Sequence, residues 1–277
     1  MKKIRKAVYA VTALLLAAAC LVGAFALNTR ADSPRVPDCD IIYDFGNGQA
    51  YEIKSGLAMS MMRTNPDGSY YVNPESGSYE LDPAKMNGFF YALSMMYPMQ
   101  SNDLLFRATR GDVVQISGGS QKQRFLDTGV EIPYLANAIM TGKKEVHTPV
   151  WGIGGTYIEV DMTNQHLYYY LNNALVTETP IVTGNVRAGH KTPTGVYYVN
   201  SKLRNINLVG PGYVSFVNYW MAVIGSSIGI HDATWRSSFG GDIYLTNGSH
   251  GCINVPLTVI KDLYPLVEKG TIVVMFY

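Results

Sequence analysis

Two stretches of the chain carry residue types suited to nucleophilic chemistry, Gly229-Ile230-His231-Asp232 and Ser249-His250-Gly251-Cys252-Ile253-Asn254. A cysteine can pack as a small hydrophobe, pair in a disulfide or react as a thiolate. A free thiol with a pKa near ~8.5 is only a few per cent ionised at neutral pH, so a reactive one needs a base or a positive neighbour. His250 is two residues from Cys252, and in an extended strand both would project from one face. His231 is distant in sequence and must be delivered by the fold. Acyl transfer needs a base within about 2.6–3.2 Å of the sulfur and donors for the developing oxyanion. The backbone N–H groups of His250, Gly251 and Cys252 are the natural donors, because Gly251 permits a tightly turned backbone. The residues alone leave the division of base duty between His231 and His250 open.

Plainer readings compete. A lone histidine or cysteine is more often a satisfied core residue, but the three at this spacing favour chemistry. His231, His250 and Cys252 would also make a reasonable zinc ligand set, though a fourth ligand and the usual paired-ligand spacings are lacking. A thioester on Cys252 could equally be passed to water. Lys191, Tyr213 and Trp235 flank the motif as candidates for lining a substrate cleft, against the commoner roles of solvated loop charge and packing aromatics. His147, His166 and His190 have no partners at informative spacing.

Seventeen residues separate His231 from Ser249. The resulting pattern, His-(17 residues)-Ser-His-Gly-Cys-(apolar)-Asn, resembles the active-site motif of the L,D-transpeptidases, cell-wall enzymes with a YkuD-type catalytic domain. Lys191-Thr192-Pro193-Thr194-Gly195 and Gly270-Thr271-Ile272-Val273-Val274 extend the resemblance, which covers the chain from about Gly155 to Tyr277. It implies that Cys252 is the nucleophile and His231 its base, with His250 retained as a second catalytic candidate. Asp232 would orient His231 through its side chain or its carbonyl, while Ser249, Gly251 and Asn254 support the loop. The implied reaction joins peptidoglycan stem peptides: a tetrapeptide donor releases D-alanine and an acceptor stem closes a 3→3 cross-link. Neither cofactor nor metal is implied. The alternatives are a cysteine peptidase or carboxypeptidase acting on stem peptides, and a non-catalytic wall-binding protein. Intact Cys252, His231 and His250 argue against the last.

The elements that must position these residues are mostly strands. Tyr157 to Asp161 alternates apolar with polar, and Leu167 to Tyr170 and Ala174 to Val176 flank Asn172-Asn173, a tight-turn pair. Gly195 to Val199, Val214 to Val217, Met221 to Ile224, Gly229 to His231, Cys252 to Val255 and Thr271 to Tyr277 follow. A short helix after Pro256 places Leu257, Ile260, Leu263 and Tyr264 on one face. Many short strands with glycine-rich turns predict a mainly β domain over 151–277, a sandwich or open barrel with a short helix.

Residues 41–150 read as a mixed α+β accessory domain, resembling the peptidoglycan-binding-like domains that precede the catalytic domain in similar enzymes. Asp82-Pro83 starts a helix in which Met86, Phe89, Phe90, Leu93, Met96 and Tyr97 recur before Pro98. Gly111 to Ser117 alternates as a strand. A second helix is predicted from Pro133 to Gly142, burying Leu135, Ile139 and Met140. The methionines at 59–62 and 95–99 read as core.

Composition sets the remaining bounds. With 47% hydrophobic and 16% charged residues, the 277-residue chain is globular, and 20 tyrosines and 27 glycines favour strands and turns. A net charge of +1, with no basic run after the first positions, excludes an electrostatic case for nucleic acid. Lys2, Lys3, Arg5 and Lys6 form a cytoplasmic tail, residues 1–6, ahead of the uncharged run Ala7 to Leu27. At about 1.5 Å per residue that run spans a bilayer core of ~30 Å, predicting a transmembrane helix over 7–27 with the rest facing the wall of a Gram-positive-type envelope. A cleaved signal peptide is the competing reading. Residues 28–40 read as a linker, which places Cys39 in a stalk. Cys20 falls in the apolar run, and Cys252 is expected to be free.

Overall fold

The computed structural model describes residues 38–277 apart from Pro211. Its chain divides into two units, one built from residues up to Pro98 with Phe125–Trp151, the other from Met99–Arg124 with Gly152–Tyr277. The sequence places residues 99–124 with the accessory domain; their contacts place them with the C-terminal unit. The apolar run 7–27, Cys20 and linker residues 28–37 lie outside the described residues. Among the described residues no helix is long and apolar enough to cross a membrane.

In the first unit Asp40–Gly46 pairs antiparallel with Gln49–Lys54 and parallel with Lys144–His147, a three-stranded sheet. Helix Pro83–Met96 starts where the sequence predicts, its N–H groups at Ala84 and Lys85 capped by the Asp82 carboxylate at 2.9 and 3.2 Å. Such a cap contributes about 1 kcal/mol. Met86, Phe90 and Leu93 are buried from it, together with Met61, Met62, Leu135 and Ile139. The second helix begins earlier than predicted, at Thr128, with Asp127 accepting from Gly129 N at 3.0 Å. Pro133 sits inside it, and a real cap upstream outweighs proline's preference for the first turn. Cys39 is not in a stalk: it is 1% exposed and packs in this core as a free thiol.

The second unit opens with an antiparallel pair, β1 (Asp103–Arg107) and β2 (Val113–Ser117). It continues through β3 (Tyr157–Asp161), β4 (His166–Leu171), β5 (Ala174–Pro180) and β6 (Gly195–Tyr198). Next come β7 (Ser201–Gly210), β8 (Tyr213–Ile224) and β9 (Ile228–Asp232). Helix α1 (Ile243–Asn247), β10 (Ile253–Val255), α2 (Leu257–Leu266) and β11 (Ile272–Phe276) complete it. Two sheets result, ordered β5-β4-β3-β11-β6 and β7-β8-β9-β10. Their inner faces share one core of Ile158, Val160, Leu167, Met221, Ile230, Ile253, Val273 and Met275, to which α2 adds Ile260 and Leu263. Each fully buried aliphatic side chain contributes about 1.5–3 kcal/mol, so this shared core is what joins the sheets.

The Asn172-Asn173 turn takes left-handed backbone at both residues, φ 51° and 67°, as a two-residue hairpin of this type requires. Strand β8 runs unbroken through the two strands predicted at 214–217 and 221–224, paired along its length with β7, which the sequence did not announce. In β3 the expected alternation of buried and exposed faces is absent, because Glu159 and Asp161 are both fully buried. Thr109 N and Oγ1 donate to the Glu159 carboxylate at 2.9 and 2.6 Å, and Arg110 pairs with Asp161 at 3.0 Å. Burial pushes the Glu159 carboxyl up, and the Thr109 donors oppose that shift. Residues 99–124 thus cover a face that would otherwise meet water.

Candidate active site

The reactive loop is held from two sides. On one side β9 and β10 run parallel, pairing Ile230 with Ile253 and His231 with Asn254. On the other, Val182 and Asn254 exchange backbone hydrogen bonds at 2.9 and 3.0 Å, Ser249 N donates to Thr183 O, and Asn185 N donates to Ser249 O. Thr192, 1% exposed, donates through Oγ1 to the Gly251 carbonyl at 2.7 Å and accepts from Gly184 N at 2.9 Å. Close approach requires glycine at 184, where an added Cβ would lie 1.8 Å from the His190 carbonyl oxygen. Position 251 requires glycine for another reason, its φ of +122°.

Cys252 lies one residue ahead of β10, free and partly buried against Trp220 and Val217. Its Sγ is 3.6 Å from the Ser227 carbonyl. Burial pushes the thiol up from its ordinary value, and the backbone N–H of Gly229 opposes this by favouring the thiolate. Burial thus favours the thiol over the thiolate.

His231 is 3% exposed, between the rings of Trp220 and Trp235 at centroid distances of 5.7 and 5.9 Å. Its Nδ1 is 2.7 Å from the Asp232 carbonyl oxygen, which can only accept, so Nδ1 carries the proton. Of the two orienting routes open in the sequence, the carbonyl is the one used. The Asp232 carboxylate instead accepts from Asn218 N, Tyr219 N and Asn218 Nδ2, each at 2.8 Å, tying β9 to β8. Burial pushes His231 down from the ordinary histidine value, and the Asp232 carbonyl partly offsets that. Burial thus favours the neutral imidazole, whose tautomer, with Nδ1 protonated, puts the lone pair on Nε2.

His250 occupies a different setting. The strand begins only at Ile253, so the shared strand face expected for His250 and Cys252 does not form. The exposed imidazole stacks on Tyr213 at 4.6 Å and meets His190 edge-on at 4.8 Å. Ser249 Oγ donates to the Cys252 carbonyl at 2.6 Å and accepts from Gly251 N at 3.0 Å. That second bond occupies one of the three backbone donors expected to face an oxyanion, leaving His250 N and Cys252 N as candidates. Trp235 is half exposed beside His231. Lys191 places its ammonium 3.8 Å from the centre of the Tyr277 ring. Among the described residues no group of three or more His, Cys, Asp or Glu is arranged to hold a metal ion.

Sequence reasoning missed several supports. Thr192 lies within Lys191-Thr192-Pro193-Thr194-Gly195, where its residue type signals no role. Asn218, Ser227 and Arg236 carry no spacing signal, since each acts across strands or loops that only the fold brings together. Arg236 Nε donates to Asn254 Oδ1 at 2.8 Å, and Asn254 Nδ2 is 3.2 Å from His231 Nε2.

Residues 155–275 match the L,D-transpeptidase catalytic domain, YkuD. No match was found among curated proteins. Among solved structures, a cysteine-to-serine mutant of Enterococcus faecium L,D-transpeptidase is 34% identical, with a TM-score of 0.52, over 86% of this chain and 95% of that one. The Ldtfm–avibactam carbamoyl enzyme is 35% identical, with a TM-score of 0.53, over 86% of this chain and 94% of that one. The catalytic domain of E. faecium L,D-transpeptidase acylated by ertapenem is 46% identical over 44% of this chain and 97% of that one, with a TM-score of 0.41. Identity above 30% along nearly the full length of related enzymes carries the assignment: this chain belongs to the L,D-transpeptidase family and holds its YkuD-type catalytic domain.

Proposed function

We propose that the protein is a cysteine-nucleophile L,D-transpeptidase that forms 3→3 peptidoglycan cross-links. In the first half-reaction His231 Nε2 takes the Cys252 proton as the sulfur attacks the carbonyl of the third residue of a tetrapeptide stem. The tetrahedral oxyanion is met by the backbone N–H groups of His250 and Cys252. Its collapse breaks the peptide bond to D-alanine, whose amine leaves with the proton held on His231. The side-chain amine of a second stem's third residue then attacks the thioester, giving up a proton to His231. Cys252 leaves as the thiol, and one new amide joins the stems. The exposed His250–Tyr213 stack at the loop is read as part of the surface that receives the stems, with Trp235 and Lys191 as further cleft residues.

The observation that carries this reading is the setting of His231: it pairs with the motif's Asn254 across β9 and β10, and its Nδ1–H is fixed by the Asp232 carbonyl, which makes Nε2 the basic nitrogen. A general base needs a ring nitrogen fixed in that tautomer. Residues 41–98 and 125–150 are proposed as a wall-binding accessory domain, and the run 7–27 as the anchor that keeps both units on the outer side of the membrane.

The covalent intermediate tests the enzyme reading. A carbapenem presents a strained carbonyl to the same sulfur, so incubation is expected to add the mass of one intact drug molecule to Cys252, located by peptide mapping. Cys252→Ser should not form the adduct readily, since its hydroxyl is far less ionised. An unmodified Cys252 in folded, reduced protein would overturn the assignment.

A further inference from the structure

The His231 imidazole is contacted at both nitrogens, and the second contact leads to a residue outside the motif. Asn254 faces Nε2 with one end of its amide and Arg236 with the other. A guanidinium has donors only, so the amide oxygen must face Arg236. The NH₂ end must then face His231, where it can donate only to an unprotonated nitrogen. Resting on the transpeptidase reading above, we propose that Arg236 is a positioning residue for His231: by fixing the Asn254 amide, it holds Nε2 as a hydrogen-bond acceptor in the resting enzyme.

The consequence is chemical. A proton arriving on Nε2 would place N–H against N–H unless the amide turns, and the bond to Arg236 resists turning. Imidazolium is therefore disfavoured by geometry as well as by burial. In the resting enzyme His231 stays unprotonated; when Nε2 takes the thiol proton as the sulfur attacks, the Asn254 NH₂ must swing off that nitrogen, and it returns once the proton has passed to the leaving amine. The titratable and charged groups around the imidazole are Asp232 on its own strand, Arg236 in the loop that follows and, in the proposed reaction, the Cys252 thiol. The carboxylate of Asp232 is committed to Asn218 and Tyr219. From the neighbouring strands the facing groups are the neutral Trp220 and Asn254.

The test reads the imidazole nitrogens of His231 by ¹⁵N NMR in the full-length chain across pH, beside the rate at which ertapenem acylates Cys252. Wild type is expected to show Nδ1–H and bare Nε2 at neutral pH, with a titration midpoint below the usual ~6.5. Asn254→Asp keeps a partner for Arg236 but offers Nε2 an acceptor and a negative charge, so the midpoint should rise by about 1–3 units. Arg236→Met frees the amide. Its midpoint should move up toward the ordinary value, and the acid limb of the acylation profile should move with it. Apparent affinity for ertapenem should not change, and Arg236→Lys should restore the low midpoint. A protonated Nε2 in wild type would overturn the relay, as would an unchanged midpoint and acid limb in Arg236→Met. Should that variant fail to fold, wild type and Asn254→Asp decide. Because the relay is read on unreacted protein, a missing adduct counts against the transpeptidase reading alone.

Discussion

His231 and His250 are imidazoles of one motif, and their surroundings give them different chemistry. His231 is buried and hydrogen-bonded at both nitrogens. His250 is exposed and engaged through its ring face with Tyr213. A general base contributes about 10²–10⁴-fold to rate, so His231→Ala is expected to slow carbapenem acylation of Cys252 by that factor while the fold is retained. His250→Ala should cost less, and its effect should fall on binding. Stopped-flow acylation with circular dichroism on both variants measures this. Greater damage from His250→Ala in folded protein would reverse the assignment.

The elements around segment 249–254 hold it in place. Thr192 does so from outside the motif, with one hydroxyl that donates to Gly251 and accepts from Gly184. Thr192→Val keeps the shape but leaves a buried carbonyl and a buried N–H unpaired, each costing about 1–3 kcal/mol. Denaturant unfolding should register that loss. Acylation should slow as well, because the carbonyl released is that of the residue before the nucleophile. Thr192→Ser, which keeps the hydroxyl, should lie near wild type in both measurements. Unchanged stability in Thr192→Val would mean that the bonds hold nothing in place.

At the scale of the whole molecule, the catalytic unit is assembled from two separate parts of the chain. Residues 99–124 supply Thr109 and Arg110 to the buried carboxylates of β3, so a cut at 150 would leave Glu159 and Asp161 without those partners. The proposed anchor gives the full chain a direction. An uncharged run of 21 residues behind a basic flank predicts that everything after Leu27 faces the wall. Protease added to intact, wall-stripped cells should therefore remove both units. Finding them protected until the membrane is opened would overturn this topology.

What the sequence determined by itself was local or chemical. The Asp82 cap and the Asn172-Asn173 turn depend on residues a few positions apart, and they formed where read. The nucleophile motif was legible because its residue types recur at bounded spacing, and with it came the family and the mainly β class of the second unit. Tertiary structure decided everything that depends on what covers a face or faces a side chain. Only packing shows that Glu159 and Asp161 are buried, since a charged residue in an alternating strand reads as exposed until a distant segment meets it. Cys39 reads as a stalk residue from its place in the linker and instead packs in the core of the first unit. Asp232 orients His231 through its carbonyl because its carboxylate is already committed to β8, a choice made by strand register. Arg236 reaches His231 only through Asn254, across strands that are adjacent in space and separate in sequence, and one-dimensional spacing carries no trace of such a contact.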